Sequence, residues 1–231
     1  MEHNKTRYLL IVVALILSNT IFAQQHTKTE ANADLIEYTS KEGLPTTDIA
    51  KIFQTKDGYI WLSGIEGTFR FDGYDFDEIG REYGVQQMQN MYYDSTKNVI
   101  YFASPKKFIV FDGIEFKVYG EKEGYKINGL SGQVITLLNA DSKGRIWIGS
   151  ATHFVDRKFN GGLTMFLDGK FTQYDSTAFP LHNASNFIET PYGDLIFGSS
   201  GKNTQTAEGS YIALFKQGKF RRIDESEGVY L

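Results

Sequence analysis

The chain has 231 residues, 28 of them acidic and 24 basic, and a formal net charge of −4 at neutral pH. That balance lacks the basic footprint of a nucleic-acid binder, so no nucleic-acid partner is expected. There is no cysteine, which excludes disulfides, thiol nucleophiles and cysteine metal sites, and leaves an exported fold to rest on packing alone.

Residues 1–23 read as a secretory signal peptide. Lys5 and Arg7 give a positive start, Tyr8 to Leu17 an apolar stretch, and Ala23 a small residue before a cut at Gln24. The alternative is an uncleaved anchor, although the apolar run is short for a full span. Without a cysteine after the cut, a lipoprotein is excluded, and no second apolar stretch is long enough to cross a bilayer. Residues 24–34 form a polar lead-in.

From Leu35 onward the chain is built from one repeating unit. Its best copy runs from Ile49 to Phe76 as four short apolar segments broken by Asp57-Gly58, Gly64, Gly67 and Asp72-Gly73. Asp-Gly between apolar runs is a strong hairpin signal. The second segment recurs around Tyr101, Trp147 and Phe197, which with Trp61 are taken as the aromatic anchors, spaced 40, 46 and 50 residues apart. The turn after the third segment recurs as Asp72-Gly73, Asp112-Gly113, Asp168-Gly169 and Gln217-Gly218. With Gly58 and Gly144 in the first turn, Gly73, Gly113, Gly169 and Gly218 are expected at positive-φ positions. In blade two the first turn, Asp94 to Asn98, lacks its glycine.

A period in this range marks propellers and related arrays. The second and third segments are near-continuous apolar runs, as expected of strands covered on both faces. The fourth is more polar, which suits an outer edge. Many aromatics and glycines with only four prolines agree with an all-β chain. The predicted fold is therefore a β-propeller of four-stranded antiparallel blades at about 46–80, 85–120, 130–175 and 183–224, with the start of a next unit at 225–231. Leu35 to Tyr38 is predicted as an outermost strand. An array in that phase, with four units, reads as the N-terminal part of a longer one. Blades three and four carry insertions after their second strand, 151–160 and 199–208, which would emerge on one face, where binding loops are common.

Candidate chemistry is sparse. Asp72, Asp75 and Asp77 are close enough for a cation, but a turn aspartate and a solvated edge explain them better. Asn139 to Gly144 begins like a calcium loop, yet Ser150 stands where a bidentate glutamate is required. Gly198 to Lys202 lacks the first glycine of a phosphate loop and a following helix. His3, His26, His153 and His182 have no partners at metal-ligand spacing. Trp61 and Trp147 could stack on a sugar, but their apolar strands favour the core. No catalytic or metal residue is assigned, no cofactor is implied, and the ligand-binding residues are left open.

The units resemble the two-component regulator propeller repeat. The resemblance is carried by Gly43-Leu44-Pro45, Asp57 to Gly64, Gly67 to Phe76, and Asp141 to Ser150. It implies the periplasmic sensor of a histidine kinase or hybrid kinase, often two propellers followed by an immunoglobulin-like domain, a membrane helix and cytoplasmic signalling domains. Many such sensors recognise oligosaccharides. The expected partners are thus a small-molecule or oligosaccharide ligand, the downstream propeller and signalling domains, and a second copy in a homodimer. The residues present are expected to be non-catalytic. The alternatives are an exported carbohydrate-active enzyme on a propeller scaffold, or a secreted protein-interaction scaffold.

Overall fold

A computed structural model describes residues 36–46, 48–85, 90–127, 133–152, 162–175, 177–181, 183–199 and 212–223. Tyr38–Leu231 forms one compact unit; of the other, Met1–Glu37, only Ile36 and Glu37 are described. The signal-peptide positions, Ala23 and Gln24 among them, lie outside the described residues, as do all four histidines and 153–160 and 200–208 of the two insertions.

The described chain folds into four four-stranded antiparallel sheets, each a meander in sequence order. Sheet one holds β1 (Ile49–Gln54), β2 (Ile60–Gly64), β3 (Thr68–Phe71) and β4 (Phe76–Glu78). Sheet two holds β5 (Asn90–Asp94), β6 (Val99–Ala103), β7 (Phe108–Phe111) and β8 (Phe116–Tyr119). Sheet three holds β9 (Gln133–Ala140), β10 (Ile146–Thr152), β11 (Gly162–Leu167) and β12 (Lys170–Tyr174). Sheet four holds β13 (Asn186–Glu189), β14 (Leu195–Gly198), β15 (Ile212–Lys216) and β16 (Lys219–Ile223). The architecture is that of an all-β propeller whose described sheets do not close into a ring.

Neighbouring sheets are glued face to face by three buried clusters. The first joins sheets one and two through Trp61, Met91, Ile100, Phe102 and Ile109. The second joins two and three through Tyr101, Phe108, Ile135, Ile146 and Ile148. The third joins three and four through Trp147, Leu163, Leu195, Phe197 and Phe215. Successive side chains of a strand point to opposite faces, so an inner strand serves two clusters at once. In β6, Phe102 faces sheet one and Tyr101 faces sheet three. In β10, Ile148 faces sheet two and Trp147 faces sheet four.

Register corrects one of the four anchors. Trp61 pairs with Phe53, Tyr101 with Tyr92 and Trp147 with Asn139, in each case two residues before the first residue of the turn. In sheet four that position pairs Ile188 with Ile196. The fourth member of the row is therefore Ile196, 49 residues after Trp147, and Phe197 points back at sheet three. The aromatic ring was a misleading guide because both faces of β14 carry large apolar side chains. On the forward face of sheet four Ile188 is 64% exposed and Ile196 half-buried.

Short 3-10 turns lead into the first three blades: Ser40–Glu42, Arg81–Tyr83 and Glu121–Glu123. A left-handed glycine ends each one, Gly43, Gly84 and Gly124. The next residue donates its N–H back to the carbonyl five positions earlier: Leu44 to Thr39, Val85 to Gly80, Tyr125 to Gly120. Val85 and Tyr125 thereby plunge into the inter-sheet clusters. Ahead of the first of these turns, residues 36–39 are irregular rather than an outermost strand. Tyr38 instead packs edge-on against Phe71 and Phe76, at ring-centroid distances of 5.0 and 6.0 Å. Ring contacts, not a strand ladder, hold it.

Candidate functional site: a cleft on the turn face

In a sequential meander the turns after the first and third strands emerge at one end of the sheet. The turn after the second strand and the join between blades emerge at the other. The insertions leave from the second end. The cleft described here lies at the first.

The first turn of each blade is organised by an oxygen side chain at its first residue: Thr55, Asp94, Asp141 and Thr190. Asp141 is the most heavily used. It accepts from the backbone N–H of Lys143 and Arg145, from Arg145 Nε at 2.5 Å and from Trp147 Nε1 at 2.8 Å. Nothing remains of it for a calcium ion, and the segment is a hairpin. Asp94 accepts from the N–H of Thr96 and Lys97. The glycine missing from that turn is replaced by Asn98 at φ 56°, a conformation asparagine tolerates better than most residues.

The first turns of sheets one, two and three are each tied to the next sheet. The Lys56 N–H donates to Tyr93 Oη at 3.0 Å, and Lys97 Nζ to the Gly144 carbonyl at 3.3 Å. The Ser142 N–H and Oγ donate to the Glu189 carboxylate at 2.8 and 2.5 Å. The turn face is thus a stitched surface on which side-chain positions are fixed.

The second hairpin turn exists in two forms. In sheets one and two, Asp72 and Asp112 accept from the N–H groups two and three residues on, making wide turns. Donated backbone N–H groups hold both carboxyls below the ordinary carboxylate range. Tyr74, read as part of the fourth strand, is instead the tip of this turn and is 87% exposed, and β4 begins only at Phe76. Asp75 belongs to the same turn, and Asp77 lies 3.5 Å from Arg70. Among the described residues no cluster of three or more metal-binding side chains occurs. In sheets three and four the turn is two residues long, Asp168-Gly169 and Gln217-Gly218, with φ of 49°, 80°, 50° and 81°. Positive φ at both central residues is the mirror-image turn that matches strand twist. Gly58, Gly73, Gly113 and Gly144 also have positive φ.

A cleft lies beside the second of these tight turns. Between sheets one and two, the space beside Asp57, Asn98, Phe111 and Gly113 is only about 20 Å³. At the equivalent place between sheets three and four, a cleft of about 320 Å³ lies among Lys143, Arg145, Tyr192, Gly193, Asp194, Phe215 and Lys216–Gly218. Lys143 stands where Asp57 does, Gly193 where Asn98 does, and Phe215 where Phe111 does.

The cleft is polar with one aromatic wall. Lys216 Nζ and Asp194 Oδ2 are 2.8 Å apart at its rim. Arg145 is held from below by Asp141, and its guanidinium carbon lies 5.2 Å from the Phe215 ring centroid and 5.4 Å from that of Trp147. Tyr192 stands 91% exposed. The sequence reading passed over these residues, because each of them individually looks like ordinary turn chemistry. The available signal is spacing: the phenylalanine lies four residues after Asp72 and Asp112 but three after Asp168 and Gln217. Trp61 and Trp147, the alternative sugar platforms, are 3% and 0% exposed and present no face to a ligand.

Comparison with known proteins places the fold. The family model described as two component regulator propeller matches residues 129–152, which include the β9–β10 hairpin and its Asp141 turn. Among solved structures, the extracellular domain of the hybrid two component system BT3049 of B. thetaiotaomicron is similar at a TM-score of 0.52 and 14% identity, covering 83% of this chain and 35% of that one. The extracellular domain of the one component system BT4673 of the same organism is similar at a TM-score of 0.49 and 16% identity, covering 79% and 22%. This chain therefore spans about a third of the first structure. No curated protein matches. The family match is thus confined to one of the four units, and the first of the solved structures shares the fold. Among the described residues no helix is long and apolar enough to cross a membrane.

Proposed function

We propose that this propeller is the extracytoplasmic ligand-recognition region of a two-component sensor, exported to the periplasm, non-catalytic in itself, and directed at an oligosaccharide-type ligand. The observation that carries this reading is the regulator-propeller match at 129–152, which falls on one of four tandem sheets of the same design. The fold shared with an extracellular sensor domain supports it. A stack of sheets locked by three buried clusters is a rigid platform, and turns on such a platform are where recognition is commonly placed. A ligand bound there would act by favouring one arrangement of the full sensor over another, through its differential affinity for the two. Further propeller and signalling domains, and a second copy of the chain, would be the parts that rearrange.

The test is thermal melting of the full chain against a panel of purified oligosaccharides. A ligand at a hundredfold excess over its Kd raises the midpoint of a domain this size by roughly 5–10 °C. Failure of every saccharide to shift the midpoint contradicts the reading, and turnover of a polysaccharide would assign the chain to the enzymes instead.

A further inference from the structure

We infer that the cleft between sheets three and four is a saccharide site for a neutral sugar ring with adjacent hydroxyls, and that recognition therefore occurs on the turn face, opposite the insertions. This rests on the sensor reading above and adds the site and the ligand class.

The first observation is the contrast between equivalent positions. The same inter-blade space is nearly closed between sheets one and two and opens to about 320 Å³ between three and four. That volume lies at the lower end of ordinary ligand pockets, which are about 300–1,000 Å³. The lining is also preformed. Ser142 clasps Glu189 and Asp141 holds Arg145, so both walls are fixed without a ligand.

The second observation is the chemistry of the lining. Lys216 and Asp194 present a donor and an acceptor 2.8 Å apart, the spacing at which two neighbouring hydroxyls can replace or share the pair. Tyr192 offers an exposed ring face, while Phe215 is buried beneath Arg145 and supports its guanidinium. A pyranose has such an amphipathic build, with apolar C–H faces and a polar rim.

Charge decides against an acidic ligand. Lys143, Arg145 and Lys216 are matched by Asp194 at the rim, Asp141 beneath and Glu189 beside them. Arg145 and Lys216 are thereby already engaged by carboxylates, so the cleft answers an added carboxylate with Lys143 at most.

The experiment is calorimetric titration of the full chain with cellotriose, β-1,4-mannotriose and β-1,4-galactotriose, with trigalacturonate as the acidic arm. Tyr192→Ala and Asp194→Asn are the test variants, and Tyr74→Ala, on the same face but away from the cleft, is the control. The inference expects at least one neutral trisaccharide to bind, and to lose about tenfold in affinity in each test variant, with Tyr74→Ala unchanged. The unliganded melting midpoint should be unaltered in Tyr192→Ala and Tyr74→Ala, whose side chains are exposed, and should fall by no more than about 4 °C in Asp194→Asn, which loses the pair with Lys216. Binding of a neutral saccharide that survives both test variants overturns the site while leaving the sensor reading in place. Binding of trigalacturonate alone overturns the ligand class, and no binding by any probe overturns the inference.

Discussion

Trp147 Nε1 donates to Asp141 Oδ2 at 2.8 Å across the first turn of blade three, and this bond ties the inter-sheet core to the turn face. Asp141 has a fully buried side chain that also binds Arg145. Its replacement by alanine strands an indole N–H and a guanidinium together. Asp141→Ala should cost about 3 kcal/mol in urea denaturation, at the low end for a broken buried pair because Arg145 can turn outward. Asp94→Ala removes chiefly two backbone hydrogen bonds and should cost about 1–2 kcal/mol. Equal costs would show that the Trp147 bond adds nothing.

The register of sheet four separates two adjacent residues. Phe197 is 0% exposed and touches Trp147, Phe179 and Phe220, whereas Ile196 is half-buried on the forward face. Phe197→Ala should cost about 3–5 kcal/mol. Ile196→Ala should cost clearly less, because part of that side chain is already hydrated. The reverse order in chemical denaturation would contradict the register.

Tyr101 supplies a pH dependence. Burial, with the Asp94 charge second, lifts its hydroxyl to about 12. Tyr125, wholly enclosed and donating to the Ser104 carbonyl at 2.7 Å, is raised by burial as well. A raised folded-state value means that the folded chain holds its proton more tightly than the unfolded chain. The stabilisation is complete below about pH 10 and is lost as pH rises through about 12. Urea midpoints should fall across that window, and the fall should shrink in Tyr101→Phe. An unaltered slope in the variant would remove Tyr101 as the cause.

Trp61 and Trp147 lie at equivalent positions in clusters one and three. Truncating either to alanine should cost about 3–5 kcal/mol. Wild-type melting of both variants would mean that these rings do not hold the sheets together.

The fold was legible because its strongest signals are local and repeated: apolar runs of strand length, glycines where φ is positive, and one unit recurring four times at intervals of 40 to 50 residues. The assignment of Phe197 was not, since a run with large side chains on both faces does not reveal which face each residue takes. Register does, and register depends on counting from the turn. The beginning of β4 was placed two residues early because Asp72 diverts Tyr74 and Asp75 into its own side-chain turn. The cleft was hidden for a different reason. It lies between two sheets, and such a void belongs to no single segment.

The account turns on consecutive sheets packing face to face, and the Trp147–Phe215 pair tests that most directly. Their rings meet edge to face at 5.1 Å across the boundary between sheets three and four. A double-mutant cycle with Trp147→Leu and Phe215→Leu, read by urea denaturation, should give a coupling of about 0.5–1.5 kcal/mol. Costs that add to within about 0.3 kcal/mol would mean that the two sheets do not share a core.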